Sequence, residues 1–498
     1  MTTHPVPATT TAERRLRCII IGAGPAGILA AIKLTQAGFS DVAIYEKSNR
    51  LGGTWRDNTY PGVACDVPSQ LYSYSFEPNP SWSRQFAPGC EILDYLEQVT
   101  RRHDIERRIR YLEEVTRCEH LDGRWRIETK RGAWDTADVV IAATGVTHHP
   151  RLPDIAGRET FQGPAFHSAR WDHSALLDGR RVGVIGTGST AVQIVAALSE
   201  RVAQLELFQR TAQWIVPQDN PAYSAEEQAR FRAQPEIMQH MRTGFARAFA
   251  ENFSDAVIDV DSPQLKVIEE VARAHLESQV HNPELREKLR PTYRAACKRL
   301  IMSNDFYPAI QRTNVELITE GVESVEPNGV RTRDGRLHEL DALVFATGFH
   351  TDRFIRPTEV VGRNGVSLNE RWSQRPDAYL SVAVPGFPNF FMLNGPNSPV
   401  GNYSLIDVAE RQMDYLLQLM DLLRTGRCQE ICPMESATAA LEMQRVAAAK
   451  NTVWVTGCRS WYLDDRGVPA SWPWTMARFR EVMQAPQLEA YELAGCRD

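Results

Sequence analysis

The chain has 498 residues, 43% of them apolar and 24% charged. That is ordinary globular composition, long enough for about three domains or two with one enlarged, and it excludes disorder, collagen and coiled coil. The net charge of −6, from 56 basic and 62 acidic side chains, argues against nucleic acid as a partner, because phosphate contacts need a clustered basic surface.

An uncharged apolar run, Cys18 to Ile32, spans fifteen residues and contains three glycines and a proline. A membrane helix needs about 20 apolar residues, so no membrane partner is expected. A signal peptide is set aside, because its removal would take away the first strand of the fold. Nine cysteines are scattered from Cys18 to Cys496, and the nearest two in sequence are Cys428 and Cys432. With no CxxC and no Cys/His cluster at zinc spacing, the expectation is reduced thiols, a cytoplasmic chain and no metal.

Arg17 to Ile21 reads as a buried strand. Gly22-Ala23-Gly24-Pro25-Ala26-Gly27 follows, then a helical pattern from Ile28 to Gln36 that stops at Gly38. Gly22 permits the tight turn, Gly24 lets backbone approach a pyrophosphate, and Gly27 lets helix pack close to strand. A second strand, Val42 to Tyr45, ends at Glu46, placed 19 residues after Gly27 for a ribose hydroxyl. Gly52-Gly53-Thr54-Trp55 then supplies another segment able to close over a cofactor.

The pattern returns downstream. Strand Val182 to Ile185 leads into Gly186-Thr187-Gly188-Ser189-Thr190-Ala191, a helix to about Glu200, and strand Leu205 to Phe208 before Arg210 and Thr211. Arg210 lies 24 residues after Gly186, and Glu46 lies 24 after Gly22. An acid at that point prefers a free ribose diol, whereas arginine can hold a 2′-phosphate. The first site therefore suits FAD (or NAD) and the second NADPH. Ala143-Thr144-Gly145 and Ala346-Thr347-Gly348 each end a strand-like run, at turns where the chain passes between domains.

Residues 216–294 read as a helical insertion, with a capping box at Ser224 and Glu227 and an N-cap at Ser262 before Pro263. A long helix is expected from Ser404, with Asp407 completing a capping box, Ile406, Met413, Leu416, Leu417, Met420 and Leu423 as its apolar stripe and Gly426 at its end. The expected fold class is α/β, with two doubly wound dinucleotide-binding domains and a helical insertion.

Phe161-Gln162-Gly163-Pro164-Ala165-Phe166-His167-Ser168-Ala169-Arg170-Trp171-Asp172 fits FxGxxxHxxxW followed by Pro or Asp. This resembles the fingerprint of type I Baeyer–Villiger monooxygenases, and the two glycine turns flank it as in that family. Tyr60 to Val67, Tyr72 to Phe76, Cys297-Lys298-Arg299, Phe345 to Phe349 and Gly457 to Tyr462 are similar to the family as well. His350 departs from it, since relatives often carry an acid or tyrosine there. Sister flavin monooxygenases that oxidise sulfides or amines, the alternative reading, carry Phe or Tyr where this chain has Trp171.

The resemblance implies that NADPH reduces FAD and that O₂ gives a C4a-peroxyflavin, which inserts one oxygen beside a ketone carbonyl to form an ester or lactone. It implies Arg299 as the catalytic cation and Asp66 as the carboxylate orienting it. Lys298, Arg210 and Thr211 would hold the NADP phosphate, and Trp461 would contact that cofactor. Phe161, Gly163, His167, Trp171 and Asp172 would serve coupling between domains. The expected division is an FAD-binding domain over 1–146 and 351–498. The linker and NADPH-binding domain would take 147–215 and 295–350, with the insertion at 216–294.

Overall fold

The computed structural model describes residues 13–401 and 403–496. Strand β1 (Arg17–Ile21) has Cys18 to Ile21 at no more than 6% exposure, covered on both faces as parallel sheets require. The chain continues through helix α1 (Pro25–Gln36), β2 (Asp41–Glu46), the short helix α2 (Thr54–Asp57), β3 (Ile109–Tyr111) and β4 (Val139–Ala142). It then crosses over, forms β5 (Ala165–His167), and repeats the motif as β6 (Arg181–Ile185), α3 (Ser189–Leu198) and β7 (Gln204–Phe208). A helical stretch follows, with α4 (Ala225–Ala233), α5 (Pro235–Phe249), α6 (Pro263–Gln279) and α7 (Pro283–Lys288). After β8 (Val315–Ile318) and β9 (Ala342–Phe345), the chain returns with β10 (Phe390–Met392) and α8 (Leu405–Arg424).

The strands form two five-stranded parallel sheets, ordered β10-β4-β1-β2-β3 and β8-β7-β6-β9-β5. Ile20 sits opposite Ile44 and Ile141, and Val184 opposite Leu207 and Val344. This is the doubly wound architecture expected, built twice. Two chain segments cross between the sheets side by side. Pro150 bridges Phe349, the His350 amide donates to the His149 carbonyl at 2.9 Å, and the Arg151 amide donates to that of Gly348 at 2.8 Å.

Local signals hold where tertiary partners do not compete. Ser224 and Glu227 form the expected capping box, and Ser262 caps α6 with Pro263 in its first turn. The capping box expected at Ser404 and Asp407 does not form. The Ser404 hydroxyl donates instead to the Leu71 carbonyl at 3.0 Å, and Asp407 pairs with Arg242 and Arg411. Gly426, at φ +73°, follows α8 as expected.

Arg242 fastens the helical insertion to the rest of the protein. Its guanidinium donates to the carbonyls of Gln70, Leu71 and Ser73 and pairs with Asp407 and Glu410 at 3.3 and 3.4 Å. All three charged side chains are at most 9% exposed. Removing one partner of a buried ion pair typically costs about 3–5 kcal/mol, because the other charge is left uncompensated. Arg242→Ala is therefore expected to lower the melting temperature by roughly 5–10 °C, measured by thermal denaturation. An unchanged melting temperature would show that the cluster does not hold the insertion.

Candidate active site

The glycines of the first turn divide by what surrounds them. A Cβ on Gly22 would lie 2.8 Å from the Ala143 carbonyl oxygen, and one on Gly27 would lie 1.8 Å from that of Gly22. Packing of the protein itself demands these two. A Cβ on Gly24 would meet only the Gly53 Cα, at 3.7 Å. Gly24 caps α1 without a side-chain hydrogen bond, and the first turn of that helix holds no acid. The open N–H groups and the positive end of the helix dipole suit a pyrophosphate. Gly53, at φ +53°, brings the start of α2 against Gly24, and Thr54 Oγ1 lies 3.3 Å from Thr147 Oγ1. Trp55 is buried beside them and donates from Nε1 to the Tyr72 hydroxyl at 3.2 Å.

Glu46 ends β2 with 5% exposure. Its carboxylate accepts the amides of Ala23 and Ser48, each at 2.9 Å, and pairs with Arg56 at 2.9 Å. A carboxylate offers about four acceptor sites, so capacity for a ribose hydroxyl remains. Arg56 was not foreseen, since no spacing rule ties an arginine to that acid.

In the second turn a Cβ on Gly186, at φ +121°, would stand 2.2 Å from the Ala346 carbonyl oxygen, while one on Gly188 would touch nothing within 4 Å. Gly188 caps α3 without a side-chain bond, Ser189 opens the helix, its first turn lacks acid, and Ala191 is fully buried. Past β7, Arg210 is exposed and lines a cleft of about 620 Å³ with Thr211, Lys288, Arg290 and Thr292. Burial lowers the Lys298 pKa, and the positive charge of Arg210 lowers it further, so these two cations converge. Lys288 and Arg290 were missed because the end of the insertion carries no motif.

Asp66 and Arg299, which the sequence leaves 233 residues apart, meet in the structure. The Asp66 loop is held to α3: the Tyr60 hydroxyl donates to Gln193 Oε1 at 2.9 Å, and Gln193 Nε2 donates to the Ala64 carbonyl at 3.1 Å. Asp66 Oδ2 accepts Arg299 Nε at 3.0 Å and Nη2 at 2.5 Å, and Arg299 Nη1 donates to the Gly401 carbonyl at 2.9 Å. Desolvation is the largest influence on Arg299 and disfavours its charge, but the charge and hydrogen bond of Asp66 outweigh it and raise the guanidinium pKa. The two side chains keep 31% and 27% of their surface accessible. Trp461 is 38% exposed and stacks on Tyr462, with ring centroids 4.1 Å apart.

The reduced-thiol expectation fails at one pair. Cys297 and Cys458 form a disulfide, with Cα atoms 6.2 Å apart and a sequence separation of 161. No spacing rule signals so long a separation. The other seven cysteines are free.

The fingerprint segment lies along the edge of the second sheet. Phe161 packs on the core there, and a Cβ on Gly163 would stand 2.3 Å from the Asp341 carbonyl oxygen. His167 ends β5; its Nδ1 accepts the Ala169 amide at 3.1 Å and its Nε2 donates to the Gly348 carbonyl at 3.0 Å. Burial pushes its pKa down to about 4. A neutral ring with both nitrogens engaged ties this strand to the interdomain turn. Trp171 packs edge-on against Phe166 at 5.0 Å, and Asp172 caps the next turn by accepting from the Ser174 amide and hydroxyl.

A family described as pyridine nucleotide-disulphide oxidoreductase matches residues 19–243. An uncharacterised monooxygenase of Mycobacterium tuberculosis is 46% identical over 95% of both chains. A Baeyer–Villiger monooxygenase of Streptomyces coelicolor is 40% identical over 97% of this chain and 93% of its own. The crystal structure of a Rhodococcus cyclohexanone monooxygenase bound to NADP⁺ superimposes with a TM-score of 0.86, at 29% identity, over 97% of this chain and 99% of that one.

Two outcomes follow from the turns. Gly24→Val places a side chain where the pyrophosphate would lie, and the purified variant should be colourless; a full flavin absorption spectrum would count against that placement. Arg210→Ala should narrow the preference for NADPH over NADH about tenfold or more, because a charge-assisted phosphate contact contributes roughly 1.5–3 kcal/mol. The check is kcat/KM for each cofactor in both proteins.

Proposed function

Because the chain belongs to the Baeyer–Villiger monooxygenases, we propose that Arg299 and Asp66 form the centre at which this enzyme oxygenates its ketone. The enzyme uses FAD, NADPH and O₂ to convert a small ketone to an ester or lactone. When bound, FAD supplies the chemistry that takes hydride from NADPH and activates O₂. The turn from Gly22 to Gly27, with Gly53, Thr54 and Trp55, would hold the FAD pyrophosphate and ring, and Glu46 its ribose. Gly186, Gly188, Ser189 and Ala191 would form the NADP cradle. Arg210, Thr211 and Lys298 would grip its 2′-phosphate, and Trp461 would border its nicotinamide.

The geometry around Arg299 supports the catalytic role most strongly. A guanidinium has five N–H donors. Three are committed, two to Asp66 and one to Gly401. One N–H on Nη1 and one on Nη2 are left to meet negative charge developing on a reacting oxygen. Arginine stays protonated in any protein environment, so the charge there is permanent. Preorganised donors stabilise such charge without rearranging. Asp66 fixes the plane of the guanidinium and thereby the direction of both free donors. We also propose the cytoplasm, where NADPH is regenerated, as the compartment, with the Cys297–Cys458 disulfide as a departure from the reduced thiols usual there; no helix among the described residues is long and apolar enough to cross a membrane.

Arg299→Ala is expected to retain FAD and to go on oxidising NADPH, but to lose product formation by about 10²–10³ or more. Asp66→Ala should lose less, since the cation remains but its orientation is freed. Chromatography of ester or lactone formed per NADPH consumed measures both. Near wild-type yield and rate in Arg299→Ala would overturn the assignment.

A further inference from the structure

Taking the catalytic role proposed for Arg299 as given, we infer that Tyr462 is a positioning residue for it, acting through the Gly401 carbonyl. That carbonyl accepts Arg299 Nη1 at 2.9 Å and the Tyr462 hydroxyl at 3.1 Å. A carbonyl has two lone pairs, and here both are taken, one by the catalytic cation and one by the phenol. The phenol therefore fixes the anchor against which the guanidinium is set.

The backbone at Gly401 is shaped for this contact. Its φ is +83°, and a Cβ there would lie 2.5 Å from Tyr462 Oη and 2.6 Å from Trp461 Cη2. Only glycine lets the chain press so near the two rings in this conformation. Tyr462 is itself held firmly. It is 2% exposed and stacked between Trp454 at 5.2 Å and Trp461 at 4.1 Å, both at 28°, and its carbonyl accepts the Ala470 amide at 2.6 Å. Burial pushes its pKa up to about 12, although the charge of Arg299 and its approach to hydrogen-bonding range of the phenol work the other way, so the hydroxyl keeps its proton, stays a donor to Gly401 at working pH, and also borders the guanidinium directly.

A covalent link closes the circuit. Cys458 lies four residues before Tyr462, and its disulfide partner Cys297 lies two residues before Arg299. From Cys297 through Arg299 to the Gly401 carbonyl, on to Tyr462 and back to Cys458, the chain forms one ring, closed by hydrogen bonds on one side and by sulfur on the other. Tyr462 is thus the fixed jaw of a clamp whose other end is bonded beside the cation.

Tyr462→Phe keeps the ring stack and removes only the hydroxyl. The measurement is product and hydrogen peroxide formed per NADPH consumed, with FAD content and melting temperature followed alongside. Product per NADPH should fall about three- to tenfold, the effect of one neutral hydrogen bond, with peroxide rising to match. FAD content, melting temperature and the KM for NADPH should stay near wild type. Coupling within twofold of wild type would overturn the inference.

A second arm treats the wild-type enzyme with dithiothreitol, which reduces the disulfide to two thiols and is itself oxidised to a cyclic disulfide. Once thiol counting shows two new thiols, coupling should fall in the same direction, and it should fall less in Tyr462→Phe than in wild type because the two changes break one unit. A reduced enzyme with undiminished coupling would overturn the covalent half of the clamp. The two readings remain separable. If Arg299→Ala still oxygenates ketone, the catalytic assignment falls. If that variant is inactive while Tyr462→Phe couples normally, only the present inference falls.

Discussion

A single carboxylate oxygen, Asp66 Oδ2, accepts two N–H groups of Arg299, and this contact forms only when several distant segments are already in register. The Asp66 loop must lie against α3 through Tyr60 and Gln193. The arginine must be delivered by the segment that leaves the helical insertion and enters the short strand Ile301–Met302, paired with Ile215–Val216. Gly401 must arrive from the returning C-terminal part of the chain. A desolvated guanidinium without its carboxylate would be costly, so the native arrangement favours all these placements together. The buried Arg242 cluster, which spans the insertion, the Gln70–Ser73 loop and α8, steadies the same neighbourhood from behind.

The two glycine turns show how one backbone device serves two purposes. In each, the first glycine is demanded by a carbonyl oxygen of the protein, and the glycine two positions on is left with room. What differs is the far end. Glu46 is buried and already bound to two amides and an arginine, whereas Arg210 stands exposed on an open cleft. A buried, prebonded acceptor suits a cofactor that stays with the protein. An exposed cation on an open cleft, where Lys288 and Arg290 are already paired with Glu284 and Glu287, suits one that must arrive and leave with each turnover.

Much of this was legible because it is local. Strand, turn and helix lie within about thirty residues, so hydrophobic runs and glycine spacing reveal them, and Ser224 and Ser262 cap their helices because no distant group draws their hydroxyls away. Ser404 has one: the Leu71 carbonyl, more than 300 residues away, takes its hydroxyl, and Arg242 takes Asp407. The same reach hid the Cys297–Cys458 disulfide and the Arg56–Glu46 pair. The meeting of Asp66 and Arg299 was expected from family resemblance alone; neither residue's neighbours in sequence point to the other.

The paired crossings between the sheets bear on how the two halves can move. At Pro150 and Phe349 the outgoing and returning chains are bridged to each other, and amides of each donate to carbonyls of the other. Two struts bonded edge to edge behave as a flat strap. A strap folds easily across its width but resists shear and torsion, and beside it the Tyr60–Gln193 and Asp66–Arg299 contacts and the Cys297–Cys458 disulfide brace the same two halves. His167, braced between Ala169 and Gly348, sits at the root of that strap. A load on either sheet is thereby passed to the other through one stiff edge instead of through a loose linker.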